Sequence, residues 1–149
     1  MTSNLAKVAI ATILILFTVF YTCFIKSGKE NTPKHIDETF VLNGGTYDVE
    51  IQVIVTQDVE KAFEFVVERI DMPITSEDFE ASGVTFADEE GNIVIWLDNV
   101  EDQGVITHEL LHATLSIMLW AGIPLNDTTE ESYAYQLQYL TNQFYNKLK

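Results

Sequence analysis

Between Gly104 and Trp120 the chain carries one charged residue, Glu109, and that residue stands between two histidines, His108 and His112. So long an apolar stretch with no internal Gly or Pro reads as a helix that must be covered by other elements. The pattern His108-Glu109-Leu110-Leu111-His112 is H-E-x-x-H. Four residues make about one helical turn, so both imidazoles leave the same side of the helix and can chelate one ion. Glu109 is rotated by about 100° and can reach a water on that ion without being a ligand. Two neutral nitrogens, an open coordination position and a carboxylate that takes a proton are the parts needed for metal-activated attack of water on a carbonyl. The competing reading of the same residues is a helix with two satisfied core histidines and an exposed Glu109. Polar groups on an apolar helix are costly to bury without partners, so one of the two arrangements must supply them.

The rest of the chain has little room to do so. Its 149 residues allow one membrane segment and one small domain. Lys and Arg number 8 against 23 Asp and Glu, a formal charge of -15. Lys26, Lys29 and Lys34 lie near one end, and no basic surface remains to neutralise phosphates, which excludes nucleic acid as a partner. Cys23 is the one cysteine, so there is no intrachain disulfide and no cysteine-built metal site.

Leu5 to Ile25 is apolar apart from Lys7, and a helix of that length reaches about 30 Å, the thickness of a bilayer core. It reads as a single-pass transmembrane anchor. A cleaved signal peptide would have a shorter run of about 7–15 residues and a small-x-small cleavage site, whereas Phe20, Tyr21, Phe24 and Ile25 are bulky. The same residues make a poor lipoprotein signal before Cys23. An N-terminal anchor commonly exports the domain behind it. Here Lys26, Lys29 and Lys34 come directly after the apolar run, which leans against export and leaves the side of the domain undecided. Ser27–Asp37 is polar, so the chain divides into an anchor over 5–25, a linker over 26–37 and a domain over 38–149.

Within the domain, Tyr47–Thr56 alternates as a half-buried strand after a turn at Asn43-Gly44-Gly45. Asp58–Ile70 has helical spacing with Asp58 as a cap, and Asp71–Ser82 is a loop with a short helical turn after Ser76. Val84–Phe86 and the continuous apolar run Ile93–Leu97 form a hairpin around Glu90-Gly91-Asn92. Gly122, Pro124 and Asn126 break the motif helix, and Asp127 or Thr128 caps a last helix reaching about Leu148. Strand, helix, two strands, helix, helix makes a small α+β domain behind the anchor.

A catalytic zinc normally has three protein ligands, and the carboxylates downstream are Asp127, Glu130 and Glu131. Glu131 opens Glu131-Ser132-Tyr133-Ala134, so the chain reads H-E-x-x-H, eighteen residues, then E-x-x-A. This arrangement resembles the gluzincin metallopeptidases, and over about Val84–Leu140 it is similar to short metallopeptidases encoded by phages. The resemblance implies a zincin-like fold, one zinc per chain held by His108, His112 and Glu131, Glu109 as general base, and a peptide or protein substrate. Glu130 stays as the alternative ligand, because it projects better onto the apolar stripe Tyr133, Leu137, Leu140, Phe144 and Leu148. Ala134 would let the two helices approach closely beside Glu131. Larger gluzincins can carry an acidic residue where this chain has Tyr135, which is either an oxyanion donor or, as for Tyr139 and Tyr145, a packing residue. By the same resemblance Ile93–Leu97 borders the cleft and offers a free edge to extended peptide, unless it is an ordinary buried strand. His35 in the linker is expected to be solvent-exposed. The chain therefore reads as a membrane-anchored zinc peptidase. The alternatives are a metal-binding or interaction protein that keeps the fold without turnover, for which Glu109 would be superfluous, and a zinc amidase acting on cell-wall peptide.

Overall fold

Two largely apolar segments, Ile51–Val55, interrupted by Gln52, and the unbroken run Ile93–Leu97, lie side by side at the centre of a four-stranded sheet. In the computed structural model, which describes residues 37–149, the strands are β1 (Glu38–Asn43), β2 (Glu50–Val55), β3 (Gly83–Ala87) and β4 (Ile93–Leu97). Their order in the sheet is β1-β2-β4-β3. β2 and β4 are parallel, with Ile51 opposite Ile93 and Val55 opposite Leu97. The two outer strands are antiparallel to their neighbours, β1 on β2 and β3 on β4. Three helices, α1 (Val59–Val67), α2 (Gln103–Trp120) and α3 (Glu130–Lys147), complete an α+β domain, with short 3-10 turns at Gly45–Tyr47 and Ser76–Phe79.

The sheet is covered on both faces. Successive strand residues point to opposite sides. Ile51, Val53, Ile93, Ile95 and Leu97 pack under Ile106, Leu110, Ala113 and Ile117 of α2 and Leu140 and Phe144 of α3. Ile54, Val94 and Trp96 point the other way, into Ala62, Val66, Ile70 and Phe79. The expected half-burial of the first strand is therefore corrected: Ile54, on its supposed polar face, is 1% exposed. The Trp96 indole donates to the Thr56 carbonyl at 2.9 Å, so this second core satisfies its one polar atom. Phe79 stacks edge-on against Trp96 with ring centroids 5.1 Å apart.

Other boundaries differ for local reasons. The strand over Glu38–Asn43 is not expected from the sequence. Its packing is supplied from far along the chain, by Phe144 against Phe40 with ring centroids 5.5 Å apart. The expected turn at Asn43-Gly44-Gly45 is present, with Gly45 at φ +70 and its N–H donating to Asn43 Oδ1 at 2.7 Å. It continues into the 3-10 turn and a left-handed Asp48, so β2 starts at Glu50 rather than Tyr47. Asp58 caps α1 as expected, accepting from the Lys61 N–H. The residue preceding α3 is Thr129 and not Asp127 or Thr128, and no side chain caps that helix. Asn126 takes over the turn instead, its Oδ1 accepting from the Thr128 N–H at 2.9 Å and hydroxyl at 2.6 Å. The expected anchor over 5–25, His35 and the linker up to residue 36 lie outside the described residues. Among the described residues no helix is long and apolar enough to cross a membrane.

Candidate active site

The site is built on α2. Asp102 ends the preceding turn and caps the helix, accepting from the N–H groups of Gly104 at 2.8 Å and Val105 at 3.2 Å. This fixes where the helical phase begins. The packed residues Ile106, Leu110, Ala113 and Ile117 then fix its rotation on the sheet. His108 and His112 are consequently on the open side, and both are exposed. Glu109, about 100° round the helix, falls at the border of the packed face and is only 5% exposed. This is the reverse of the core-histidine alternative, in which the histidines would be buried and the glutamate free.

The two imidazoles converge. Their Nε2 atoms lie 3.0 Å apart, with ring centroids 4.7 Å apart and planes at 75°. Two nitrogens at about 2.0–2.1 Å from a tetrahedral zinc are separated by roughly 3.3 Å, so a small outward adjustment turns this pair into two ligands. In donor type and spacing the pair matches two of the three protein ligands that a catalytic zinc normally has.

Glu109 is held from the opposite side by β3. Thr85 Oγ1 lies 2.8 Å from Glu109 Oε2 and 3.0 Å from the Glu109 carbonyl oxygen. Gly83 allows the strand to come this close. A Cβ there would stand 2.8 Å from Val105 Cγ1, 2.9 Å from Leu97 Cδ2 and 3.1 Å from Glu109 Cγ. A small cleft lined by Ser82, Gly83, Gly104, Val105, His108 and Glu109 opens beside this contact. Sequence reasoning misses Thr85 and Gly83, because both sit more than twenty residues before Glu109 in the chain. The one hint is a glycine directly before a predicted strand, which often marks a close backbone approach.

The carboxylates of α3 are placed differently. Asp127, Glu130 and Glu131 are all exposed. Among the described residues no three His, Cys, Asp or Glu side chains gather where a metal could be held, so Glu131 and Glu130 are not brought to the histidine pair. The rotation of α3 is set by its buried residues Tyr133, Gln136, Leu140 and Phe144. At 100° per residue Glu131 lies roughly 200° round the helix from Tyr133, and Glu130 about 60°. Gln136 donates to the Gly44 carbonyl at 3.3 Å, and Gln143 to the Asn43 carbonyl at 2.7 Å, which ties the helix to the end of β1. Tyr135 is 67% exposed and lines a groove with Tyr47 and Tyr139 on that side of α3. The edge expected of Ile93–Leu97 is also corrected. That strand is interior, between β2 and β3; the edge strands are β1 and β3, and β3 is the one that contacts Glu109. A continuous apolar run needs cover on both faces, which is the physical reason it sits inside the sheet.

One further carboxylate shapes this region. Burial opposes ionisation of Asp88. It is outweighed by hydrogen bonds from the Asn92 side chain and from the backbone N–H groups of Asp71, Asn92 and Glu90, which hold the Asp88 carboxyl below its ordinary range. The bonds from Glu90 and Asn92 close the β3–β4 turn, and the one from Asp71 ties the segment after α1 to it. No protein-family model matches the chain, and no curated protein or solved structure matches it either.

Proposed function

We propose that the chain is a zinc-dependent peptidase, with His108 and His112 as metal ligands and Glu109 as general base. The observation that carries the reading is the pairing of two exposed, converging imidazole nitrogens with a carboxylate held between them and a free strand edge. Zinc bound at such a pair supplies a Lewis acid for the scissile carbonyl and lowers the pKa of a water. Glu109 takes that water's proton and returns it to the leaving amine. The third ligand in this reading is Glu131, on the strength of the E-x-x-A resemblance, with Glu130 as the alternative. Either would have to approach the histidines through adjustment of the first turn of α3. Extended peptide would pair through main-chain hydrogen bonds with the edge of β3, the edge strand whose Thr85 contacts Glu109. Residues 5–25 are read as a single-pass membrane anchor, so the full chain should pellet with membranes and resist alkaline carbonate.

The test is hydrolysis of unfolded proteins and of peptidoglycan peptides by the full chain, with and without a chelator. Glu109→Gln should keep the metal and lose activity by roughly 10²–10⁴-fold, the range of general-base contributions. Cleavage that survives both chelation and Glu109→Gln would contradict the proposal. Stoichiometric zinc with no cleavage of any substrate would favour the non-catalytic alternative.

A further inference from the structure

We propose that Thr85 is a positioning residue for Glu109, its hydroxyl fixing one carboxylate oxygen and leaving the other directed to the cleft beside His108. The inference rests on the hydrolytic reading above. Thr85 stands on β3 opposite Ile95, and its Oγ1 is within 2.8 Å of Glu109 Oε2 and 3.0 Å of the same residue's carbonyl oxygen. Its single hydrogen is therefore shared between a side chain and the backbone that carries it. A β-branched residue in a strand has few χ1 options, so this hydroxyl is a stiff anchor.

The two carboxylate oxygens of Glu109 are unlike. No other hydrogen bond to this carboxylate is found among the described residues, and no buried side-chain oxygen there lacks a partner. Oε1 must then reach solvent, and the cleft that Glu109 and His108 both line is where it does so. A base acts through one lone pair at one place, and a glutamate has three side-chain torsions with which to miss it. Holding Oε2 removes most of that freedom before the substrate arrives, and misplacement by about 1 Å can cost a hundredfold in rate. The close approach at Gly83 keeps the strand near enough for the short threonine side chain to reach. A merely structural Thr85 would satisfy the helix carbonyl and fill space, and its loss would lower stability without separating kcat from KM.

The experiment uses the full chain and a fluorescently labelled unfolded protein as substrate. Thr85→Val should lower kcat by at least about tenfold with KM and bound zinc unchanged, and Thr85→Ser should restore kcat to within about twofold. Thr85→Ala repeats the test should the valine variant fail to fold. A second readout needs neither metal nor turnover. In the metal-free chain, the urea midpoints of Thr85→Val, Glu109→Ala and the double variant should be non-additive, because the contact is lost only once. With an active wild type, an unchanged kcat in both removal variants, failure of serine to restore it, or additive midpoints would overturn the role of Thr85 alone. An inactive wild type, with or without bound zinc, would overturn the hydrolytic reading, and the positioning role with it.

Discussion

Helices α2 and α3 each run for 18 residues and press against the same face of the sheet, yet they treat their carboxylates in opposite ways. α2 has one, Glu109, and buries it against Thr85. α3 begins with two, Glu130 and Glu131, and leaves both in solvent. The difference lies in the surroundings of each helix start. Asp102 caps α2 with two hydrogen bonds, and β3 brings a hydroxyl to the Glu109 side chain about two turns later. α3 has no side-chain cap, so its first-turn carboxylates serve as counter-charges to the exposed N–H groups there. A buried carboxylate must have a partner and is thereby positioned, whereas an exposed one is free to wait for a ligand.

The comparison can be broken most sharply at α3. Losing a metal-ligating carboxylate should weaken zinc affinity by at least the roughly 10–100-fold seen when a supporting group is lost. An exposed first-turn carboxylate should cost only about 0.3–1 kcal/mol of helix stability. Glu131→Gln is expected to show the large loss and Glu130→Gln the small one, measured by competition with a zinc chelator. The reverse pattern moves the ligand to Glu130, and no effect from either leaves α3 with only its counter-charge role.

A smaller effect sharpens the contrast between the two helix starts. Asp102→Ala should destabilise the domain by about 1 kcal/mol, the ordinary worth of an N-cap. Asp127→Ala should stay within about 0.5 kcal/mol, because the side chain is exposed and Asn126 makes the turn. Urea unfolding of the two variants measures the difference, and equal losses would mean that α3 depends on a side-chain cap after all.

The smallest effect concerns the turn that joins β3 to β4. The Asp88 carboxyl is depressed in the folded chain, so its stabilisation is complete above the ordinary carboxylate range and is lost as pH falls through the lower, folded value. From neutral to acid pH the wild type should therefore lose more stability than Asp88→Asn does. Parallel urea midpoints across that window would show that the turn does not depend on the ionised form.

The same division between local and distant partners separates the legible features from the hidden ones. The histidine pair needs only one helical turn, and its spacing is enough to predict convergence. The Asp58 cap and the β3–β4 hairpin are equally local. Sheet order is not: the resemblance makes Ile93–Leu97 the edge, although its unbroken apolar run belongs inside. β1 escapes notice because its partner aromatic, Phe144, lies at the far end of the domain. Thr85 and Gln136 escape for the same reason, since each acquires its partner only when separate elements pack. The rotation of α3, on which the third ligand turns, depends on those packed residues, and the resemblance alone supplies the preference for Glu131.

The central claim is that His108 and His112 together hold one metal ion. Metal analysis of the purified full chain, beside a His108→Ala/His112→Ala double variant, tests it most directly. The account predicts one zinc per wild-type chain and none in the variant. Stoichiometric zinc retained by the double variant, or a wild type without zinc after loading, would contradict it.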